Sequence, residues 1–348
     1  MTRIGSRAGS RPEAQRTTTT ENNKSISNSN DRRHGRPVYW AARKDYLMRI
    51  SRASLRVSLF GGGTDLPSYY EREGATIISF ALDRSIYVSI NERPTGGCRL
   101  SYSEVEELTS LQEAQHSLVA RAALEWGFKE PCTMTIVSDL PKGTGLGSSS
   151  ALTVALRKLS RIGLVSPTTP FMLEQMVNPN VGQQDSLPAL YGGLRTYKIS
   201  RAGDVMASDD QVSRSTLISN HGVLLYTGLS RPAAPILKNW SNDVSHLHDI
   251  HDLASDYAYS EWTLQSLGEG LHESWEIKSG IDGVSTYELD EQYRMAKNAG
   301  AIGGKICGAG AGGCWFFVTE DKKSLVKAMG LRQIPFSVAR VGNRVVRV

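Results

Sequence analysis

The segment Pro141-Lys142-Gly143-Thr144-Gly145-Leu146-Gly147-Ser148-Ser149-Ser150-Ala151 places glycines at alternate positions and then runs directly into three serines. Closely spaced glycines let backbone N–H groups face one point, and no Cβ blocks an approaching oxyanion. Apolar residues then recur at helical spacing, at Leu152, Ala155, Leu156 and Leu159. This periodicity predicts a helix that begins at the serines and buries one face. Because a helix N-terminus carries partial positive charge, the segment predicts a phosphate cradle in which a side chain at Gly145 would occupy the phosphate position.

Other glycine-rich patterns fit the sequence less well. A Walker A loop places its lysine after the glycines, whereas Lys142 precedes them. Residues 308–313 satisfy the dinucleotide-binding pattern Gly-x-Gly-x-x-Gly. That pattern needs a following helix and an acidic residue about 20 positions further on. Residues 314–318 instead predict a strand, and no acid stands near Arg332. A plain Gly/Ser turn is the remaining alternative for the first segment taken alone.

Three segments together resemble the motifs of the GHMP kinases, the superfamily of galactokinase, homoserine kinase, mevalonate kinase and phosphomevalonate kinase. Residues 52–65, which end in Gly-Gly-Gly-Thr-Asp, look like the first motif. Residues 141–149 look like the second motif and residues 303–313 like the glycine-rich third motif. The resemblance covers roughly residues 48–348. It implies an α+β fold of two lobes, with a β/α N-terminal lobe, a ferredoxin-like C-terminal lobe and the active site between them.

Charge and composition divide the chain further. The net charge is +5, yet residues 1–47 alone carry ten Lys or Arg against four acids. This tail is rich in Ser, Thr, Asn and Arg, so it cannot bury enough apolar surface to offset the cost of ordering. We expect residues 1–47 to be a disordered basic tail, followed by an N-terminal domain over 48–200 and a C-terminal domain over 201–348. A nucleic-acid-binding arm, a transit-type peptide and a true start at Met48 are the alternatives for the tail.

Composition also limits the class of protein. With 40% hydrophobic residues and no run near the roughly 18 apolar residues of a membrane span, the sequence predicts a soluble protein without a membrane partner. The four cysteines show no Cys-x-x-Cys spacing, which disfavours a zinc site or a disulfide framework. A cytoplasmic location, no nucleic-acid partner, and a monomer or homodimer are the resulting expectations.

The resemblance implies ATP and Mg²⁺ as cofactors and assigns roles to residues. The ATP phosphates would lie against Gly143, Gly145, Leu146, Gly147, Ser148, Ser149, Gly308, Ala309 and Gly310. Asp185 would be the catalytic base, and Arg56 would stabilise the charge that develops beside it. Ser149 and Glu174, eleven residues before Asp185, would ligate Mg²⁺. The segment before Glu174 is shorter than the family pattern, and Pro167 and Pro170 predict a break in the helix that should carry this ligand.

The first motif departs from the galactokinase pattern, and this difference bears on which molecule accepts the phosphate. The first motif of galactokinases resembles the pattern Gly-Arg-Val-Asn-Leu-Ile-Gly-Glu-His-Thr-Asp. In this chain, Gly62 and Gly63 replace the Glu and the His of that pattern. The run Gly-Gly-Gly-Thr-Asp resembles the D-glycero-D-manno-heptose 7-phosphate kinases, which phosphorylate the anomeric hydroxyl. That resemblance implies a sugar phosphate partner bound by Asp65, Gly62, Gly63, Thr64 and Arg231, with Lys305 as a second candidate for the substrate phosphate. Another GHMP sugar kinase of fucose or galactose type, and a sugar-binding regulator with a kinase fold, are the alternatives.

The charge of the tail and its lack of apolar residues lead to a first prediction. A chain that starts at Met48 should match the full chain in Tm and in kcat, because residues 1–47 would add no packed surface. Thermal unfolding and steady-state assays of the two proteins check this. A loss of more than a few degrees in Tm on removing the tail would show that it packs on the body.

Overall fold

A computed structural model describes residues 48–162, 166, 168–229 and 244–348 of the chain. The tail of residues 1–47 lies outside these residues, as do Pro167 and Arg231, so the expectations for them stay predictions. Of the helices that the structure describes, none is long and apolar enough to cross a membrane.

The described residues form strands and helices in mixed order. The strands are β1 (Arg49–Phe60), β2 (Ala75–Glu92), β3 (Cys98–Ser101), β4 (Val105–Leu108), β5 (Cys132–Ser138), β6 (Leu194–Ile199), β7 (Val205–Ala207), β8 (Gly222–Tyr226), β9 (Ala301–Ile306), β10 (Cys314–Thr319), β11 (Arg332–Gln333) and β12 (Asn343–Arg347). The helices are α1 (Pro67–Glu73), α2 (Ser117–Trp126), α3 (Ser148–Leu159), α4 (Thr169–Val177), α5 (Ser186–Tyr191), α6 (Val212–His221), α7 (Val244–Tyr259), α8 (Leu264–Ser279), α9 (Tyr287–Asn298) and α10 (Lys322–Met329).

The first sheet has the order β12-β1-β2-β5-β3-β4, with β6 paired to the first half of β2 and β7 paired to β6. Its pairs are antiparallel except β3 with β5. Strand β12, at the end of the chain, pairs with β1 from Arg49↔Arg347 to Ala53↔Asn343. Strands β7 and β12 thus bring residues beyond position 200 into this sheet, and the division at residue 200 stays a prediction.

Strand β1 is buried on both faces over most of its length. Successive side chains of a strand point to opposite faces, so Leu55 and Val57 share the apolar face, while Arg56 and Ser58 share the other. All four are buried. Because a buried polar face costs free energy unless its groups find partners, the polar face of β1 marks where a functional site should lie.

The second sheet has the order β11-β8-β10-β9, and each of its pairs is antiparallel. When these strands are numbered 1 to 4 along the chain, their order across the sheet is 4-1-3-2, the arrangement of a ferredoxin-like lobe built as two βαβ halves. Its core contains stacked aromatic rings, including Trp315 and Phe317 on β10. The predicted α+β class and the ferredoxin-like C-terminal lobe are therefore confirmed.

The three motifs lie at turns between these elements. The first motif is strand β1 and the turn after it, the second connects β5 to α3, and the third connects β9 to β10. Helix α3 begins at Ser148 and its N-cap, Gly147, has a left-handed backbone with φ of 72°. The helix predicted after the serines and the strand predicted after the third motif are confirmed.

Helix α4 corrects one expectation. Pro170 was expected to break the helix that carries Glu174, but it lies in the first turn of α4. A proline is tolerated there because the N–H groups of the first turn form no intrahelical hydrogen bond. Glu174 is buried in the body of this helix. Helix α4 packs against α3, so the side chain of Glu174 reaches the N-terminal turn of α3.

Candidate active site

A cavity of about 320 Å³ lies between the two lobes. Its walls are the end of β1 with the following turn, the second-motif loop, the start of α3, the segment before α5, helix α8 and the third-motif loop. The predicted site residues that line it are Arg56, Gly62, Gly63, Asp65, Gly143, Gly145, Leu146, Gly147, Ser148, Ser149, Asp185, Gly308, Ala309 and Gly310. Residues far apart in the sequence, but grouped by the motifs, thus surround one cavity.

The second- and third-motif loops pack backbone against backbone. Gly145 has φ of +72°, and a Cβ on it would overlap the carbonyl oxygen of Cys307. A Cβ on Gly308 would stand 2.8 Å from the Cα of Gly145. The expectation that a side chain at Gly145 would occupy the phosphate position is therefore wrong, because such a side chain meets the third-motif loop first. Gly145 is needed for the contact that joins the two loops.

Arg56 connects three parts of the cavity. Its Nε and Nη2 donate to Asp185 Oδ1 at 2.9 and 2.5 Å, and its Nη1 donates to the carbonyl oxygen of Gly145 at 2.6 Å. Its backbone N–H donates to the carbonyl oxygen of Leu146 at 3.0 Å. Only 2% of the Arg56 side chain is exposed, so water has little access to the guanidinium. Its positive charge is therefore stabilised by these hydrogen-bond partners.

Asp185 occupies a position suited to exchanging a proton with a ligand. Both hydrogen bonds from Arg56 reach Oδ1, and among the described residues none donates to Oδ2. The side chain is 22% exposed and lines the cavity. One carboxylate oxygen is thus held by Arg56 while the other remains available to a ligand.

Asp65 is fully buried and connects the first motif to the Asp185 segment. Its Oδ1 accepts from the backbone N–H of Gly63 at 2.9 Å, and its Oδ2 accepts from that of Gln184 at 2.8 Å. Burial raises the pKa of Asp65 to about 6; the two backbone hydrogen bonds lower it, and the charge of Asp185 raises it. A Cβ on Gly182 would overlap this carboxylate, so the backbone must approach it without a side chain.

Glu174 lies behind the second-motif loop and not on the cavity wall. Its carboxylate accepts a hydrogen bond from the hydroxyl of Ser150 and lies beside Ser149, and only 3% of the residue is exposed. Burial raises the pKa of Glu174 to about 7, while the two serine hydroxyls lower it. Ser150 was not among the predicted residues, because nothing in the motif separates its orientation from that of Ser148.

The donor set can be compared with what Mg²⁺ requires. The described residues contain no cluster of three or more His, Cys, Asp or Glu side chains that could hold a metal ion. Magnesium at nucleotide sites is held instead by one or two carboxylates together with phosphates and water. Glu174, buried with a raised pKa and joined to Ser149, fits that requirement because a cation would stabilise its charged form.

Two buried lysines extend the cavity toward the second lobe, and Lys278 was not predicted. Lys278 Nζ donates to the carbonyl oxygens of Ile306 at 2.9 Å and Gly308 at 2.5 Å. Lys305 Nζ donates to the carbonyl oxygen of Leu59 at 2.8 Å and to Ser274 Oγ at 3.0 Å. Burial lowers the pKa of Lys305 to about 8, and it lowers the pKa of Lys278 well below its ordinary value.

One predicted substrate residue does not reach the cavity. Thr64 is fully buried, and its hydroxyl donates to the carbonyl oxygen of Gly61 at 2.7 Å, so it supports the turn of the first motif. Gly62 and Gly63 of the same turn do line the cavity. Arg231, the predicted phosphate ligand, lies outside the described residues.

Two family models match parts of the chain. The chain matches the family model of the GHMP kinases N-terminal domain over residues 114–193 and that of the GHMP kinases C-terminal region over residues 261–329. The chain thus carries the N-terminal and C-terminal domains of the GHMP kinases, a family whose members similar to this chain are kinases of small molecules.

Curated relatives match about four fifths of the chain. A D-glycero-alpha-D-manno-heptose 7-phosphate kinase of Campylobacter jejuni is 26% identical in an alignment 313 residues long that covers 80% of this chain and 92% of the relative. A mevalonate kinase of Thermococcus sibiricus is 24% identical over 81% of this chain and 90% of the relative.

A solved structure shows the same fold. A D-glycero-D-manno-heptose 1-phosphate kinase from Bacteroides thetaiotaomicron superposes with a TM-score of 0.70 at 21% identity, covering 87% of this chain and 99% of that one.

The close contact of the two loops leads to a second prediction. Gly145→Ala should lower the free energy of unfolding by more than Gly96→Ala and should weaken ATP binding at least about tenfold, because the third-motif loop must move away. Gly96 is the matched control: its φ is +77°, and a Cβ on it would have no neighbour within 4 Å. Denaturant unfolding and ATP titration measure both effects. Equal losses of stability for the two variants would contradict the loop contact.

The raised pKa of Glu174 leads to a third prediction. Its folded-state pKa of about 7 lies above the ordinary value of 4.5, so the folded chain holds this proton longer than the unfolded chain. Stability should therefore fall as pH rises from about 5 to about 7, by at most about 1.4 kcal/mol per pH unit for this one group. Glu174→Gln cannot ionise and should lack this part of the fall.

Denaturant unfolding of wild type and Glu174→Gln across this pH range measures the difference. The stability of the variant relative to wild type should increase with pH, and Mg²⁺ should reduce the difference at high pH if the ion binds the carboxylate. A difference that does not change with pH would contradict the raised pKa.

Proposed function

We propose that this protein transfers the γ-phosphate of ATP to the anomeric hydroxyl of D-glycero-D-manno-heptose 7-phosphate and forms a 1,7-bisphosphate. The observation that carries the proposal is the Asp185 carboxylate, held by buried Arg56 on the wall of a cavity that the two glycine loops also line. Phosphoryl transfer needs a phosphate cradle, a cation and a group that orients or deprotonates the attacking hydroxyl.

The glycine loops supply the first requirement. Residues 143–147 and the N-terminus of α3 offer backbone N–H groups and partial positive charge to the ATP phosphates. Residues 308–310 line the same cavity and belong to the loop that packs against Gly145. When bound, Mg²⁺ supplies positive charge that neutralises the phosphates. Ser149 and Glu174 would hold it, because the serine lines the cavity and the glutamate lies directly behind it.

Asp185 supplies the remaining requirement. The anomeric hydroxyl would give its proton to Oδ2 while its oxygen bonds to the γ-phosphorus and the bond from that phosphorus to the ADP oxygen breaks. Arg56 holds the carboxylate through Oδ1, so the carboxylate faces the acceptor in one orientation. The guanidinium also stabilises the charge that spreads over the transferring group.

A buried basic side chain at one end of the cavity suits an acceptor that carries a phosphate. Lys305 places a buried amino group beside the first motif, and among the described residues no carboxylate forms a salt bridge with it. A phosphate there would compensate a charge that burial otherwise penalises. The Gly-Gly-Gly-Thr-Asp run and the heptose phosphate kinases among the similar proteins support a heptose phosphate as the acceptor.

A panel of acceptors tests the substrate. Heptose 7-phosphate, unphosphorylated heptose, fucose, galactose and mevalonate are each incubated with ATP and Mg²⁺, and ADP formation is followed. Turnover of heptose 7-phosphate at a kcat/KM well above that of the neutral sugars is expected. Preference for a neutral sugar would point to a fucose- or galactose-type kinase, and no turnover of any acceptor would favour a regulator.

The role of Asp185 leads to a fourth prediction. Asp185→Asn keeps the shape of the side chain but cannot accept the proton, so kcat should fall by about 10²- to 10⁴-fold. The Kd for ATP should barely change, because in the proposed role this side chain faces the acceptor and not the adenine. A catalytic loss with intact binding would place the residue in the transition state. Asp210→Asn is the control, since Asp210 accepts the backbone N–H of Leu194 and does not line the cavity.

Steady-state kinetics and ATP titration of the two variants separate the outcomes. Asp210→Asn should retain the wild-type kcat. If Asp185→Asn phosphorylated heptose 7-phosphate at the wild-type rate, Asp185 would not be the base.

A further inference from the structure

We propose that Ser58 and Gln184 form a hydroxyl-binding subsite that selects acceptors with neighbouring hydroxyl groups. The inference rests on the proposed function, since it concerns the acceptor of that reaction. Neither residue belongs to the predicted site, yet both line the cavity.

The first observation is a pair of unpartnered polar atoms. Ser58 Oγ and Gln184 Oε1 are buried and have no hydrogen-bond partner among the described residues. Only 5% of Ser58 is exposed. An unsatisfied buried polar group is unfavourable, so two of them in one cavity indicate that a ligand supplies the partners.

The second observation is that both groups surround the same glycine. A Cβ on Gly62 would stand 2.8 Å from Gln184 Oε1, 3.1 Å from Gln184 Nε2 and 3.0 Å from Ser58 Oγ. Any side chain at position 62 would therefore cover or displace them. Because Gly62 has none, no side chain at this position covers the two residues, and both line the cavity.

The third observation is where the subsite lies relative to Asp185. Ser58 follows Arg56 by two residues on β1 and shares its face, while Gln184 immediately precedes Asp185. The backbone N–H of Gln184 is held by Asp65 at 2.8 Å. These connections place the two polar groups at the acceptor end of the cavity, beside the proposed base.

The chemistry of the two groups defines the ligand. A glutamine amide offers one acceptor and two donors, and a serine hydroxyl both donates and accepts. A hydroxyl group also donates and accepts, so adjacent hydroxyls of a sugar satisfy both side chains at once. A single alcohol flanked by methylene groups would leave one of the two unpaired, which a polar site rejects strongly.

A missing hydrogen-bond partner is not sufficient to identify a ligand site; the residue must also line the cavity. Ser51 Oγ is also buried without a partner among the described residues, and Ser51 lies on the same strand. It does not line the cavity. Ser51→Ala is therefore a matched control for Ser58→Ala, because both remove an unpaired hydroxyl from β1.

The test measures KM for the acceptor, KM for ATP and kcat in Ser58→Ala, Gln184→Met and Ser51→Ala. Ser58→Ala and Gln184→Met should each raise the KM for heptose 7-phosphate roughly tenfold, the effect of one lost hydrogen bond. The KM for ATP should change less than twofold. Ser51→Ala should leave all three constants at the wild-type values.

Gly62→Ala gives a variant that keeps both polar groups. Its methyl group meets the flexible end of Gln184, so the chain can fold with the amide displaced. The acceptor KM should rise as in Gln184→Met, and combining the two substitutions should add little, since both remove the same contact. Additive effects would show that Gln184 does not bind the acceptor.

A deoxy acceptor separates binding from general damage. Removing the contacted hydroxyl from the sugar should raise KM in wild type and have little further effect in Ser58→Ala or Gln184→Met. Unchanged acceptor KM in both of these variants would overturn the inference. If wild type uses a different acceptor from the panel, the proposed substrate is wrong, and the same KM comparison with that acceptor decides the role of the pair.

Discussion

The buried ion pair of Arg56 with Asp185 is the interaction on which the rest of the site depends. A guanidinium that is 98% buried would be strongly unfavourable without partners, and it finds them in Asp185 and in the carbonyl oxygen of Gly145. These contacts join strand β1, the second-motif loop and the segment before α5. The Gly147 backbone lies so close to this side chain that a Cβ would stand 3.1 Å from Arg56 Cγ. Removing one partner would leave a buried charge and release three parts of the cavity at once.

A second set of close approaches extends this arrangement across the cavity. Gly145 contacts the third-motif loop, and Asp65 holds the backbone of Gln184 next to Asp185. The glycines of the three motifs therefore serve two purposes. Some leave room for a ligand, as Gly62 does beside Ser58, and others let two backbones touch. Both purposes explain why cavity walls from distant parts of the chain can enclose one small space.

Features with a local signal could be predicted from the sequence. Alternate glycines before serines predict a loop and a helix start, and both form at 143–148. The roles of Lys278, Ser150 and Gln184 could not be predicted, because their orientation depends on helices and loops that meet only in the folded chain. The helix break predicted from Pro170 was wrong for a related reason. The effect of a proline depends on whether it begins or interrupts a helix, and α4 begins at this position. The contact of Gly145 with Cys307 is likewise a property of two loops that are distant in sequence.

In the proposed function, the cavity built around Arg56 and Asp185 directs the γ-phosphate to an anomeric hydroxyl. Phosphorus NMR of the product formed from ATP, Mg²⁺ and heptose 7-phosphate tests it most directly, because coupling to the sugar protons identifies the carbon that carries each phosphate. The original 7-phosphate signal should be retained. A second signal, coupled to the proton on the anomeric carbon, should appear at the same rate as ADP. A new phosphate on any other hydroxyl, or ADP formed without a phosphorylated sugar, would contradict it.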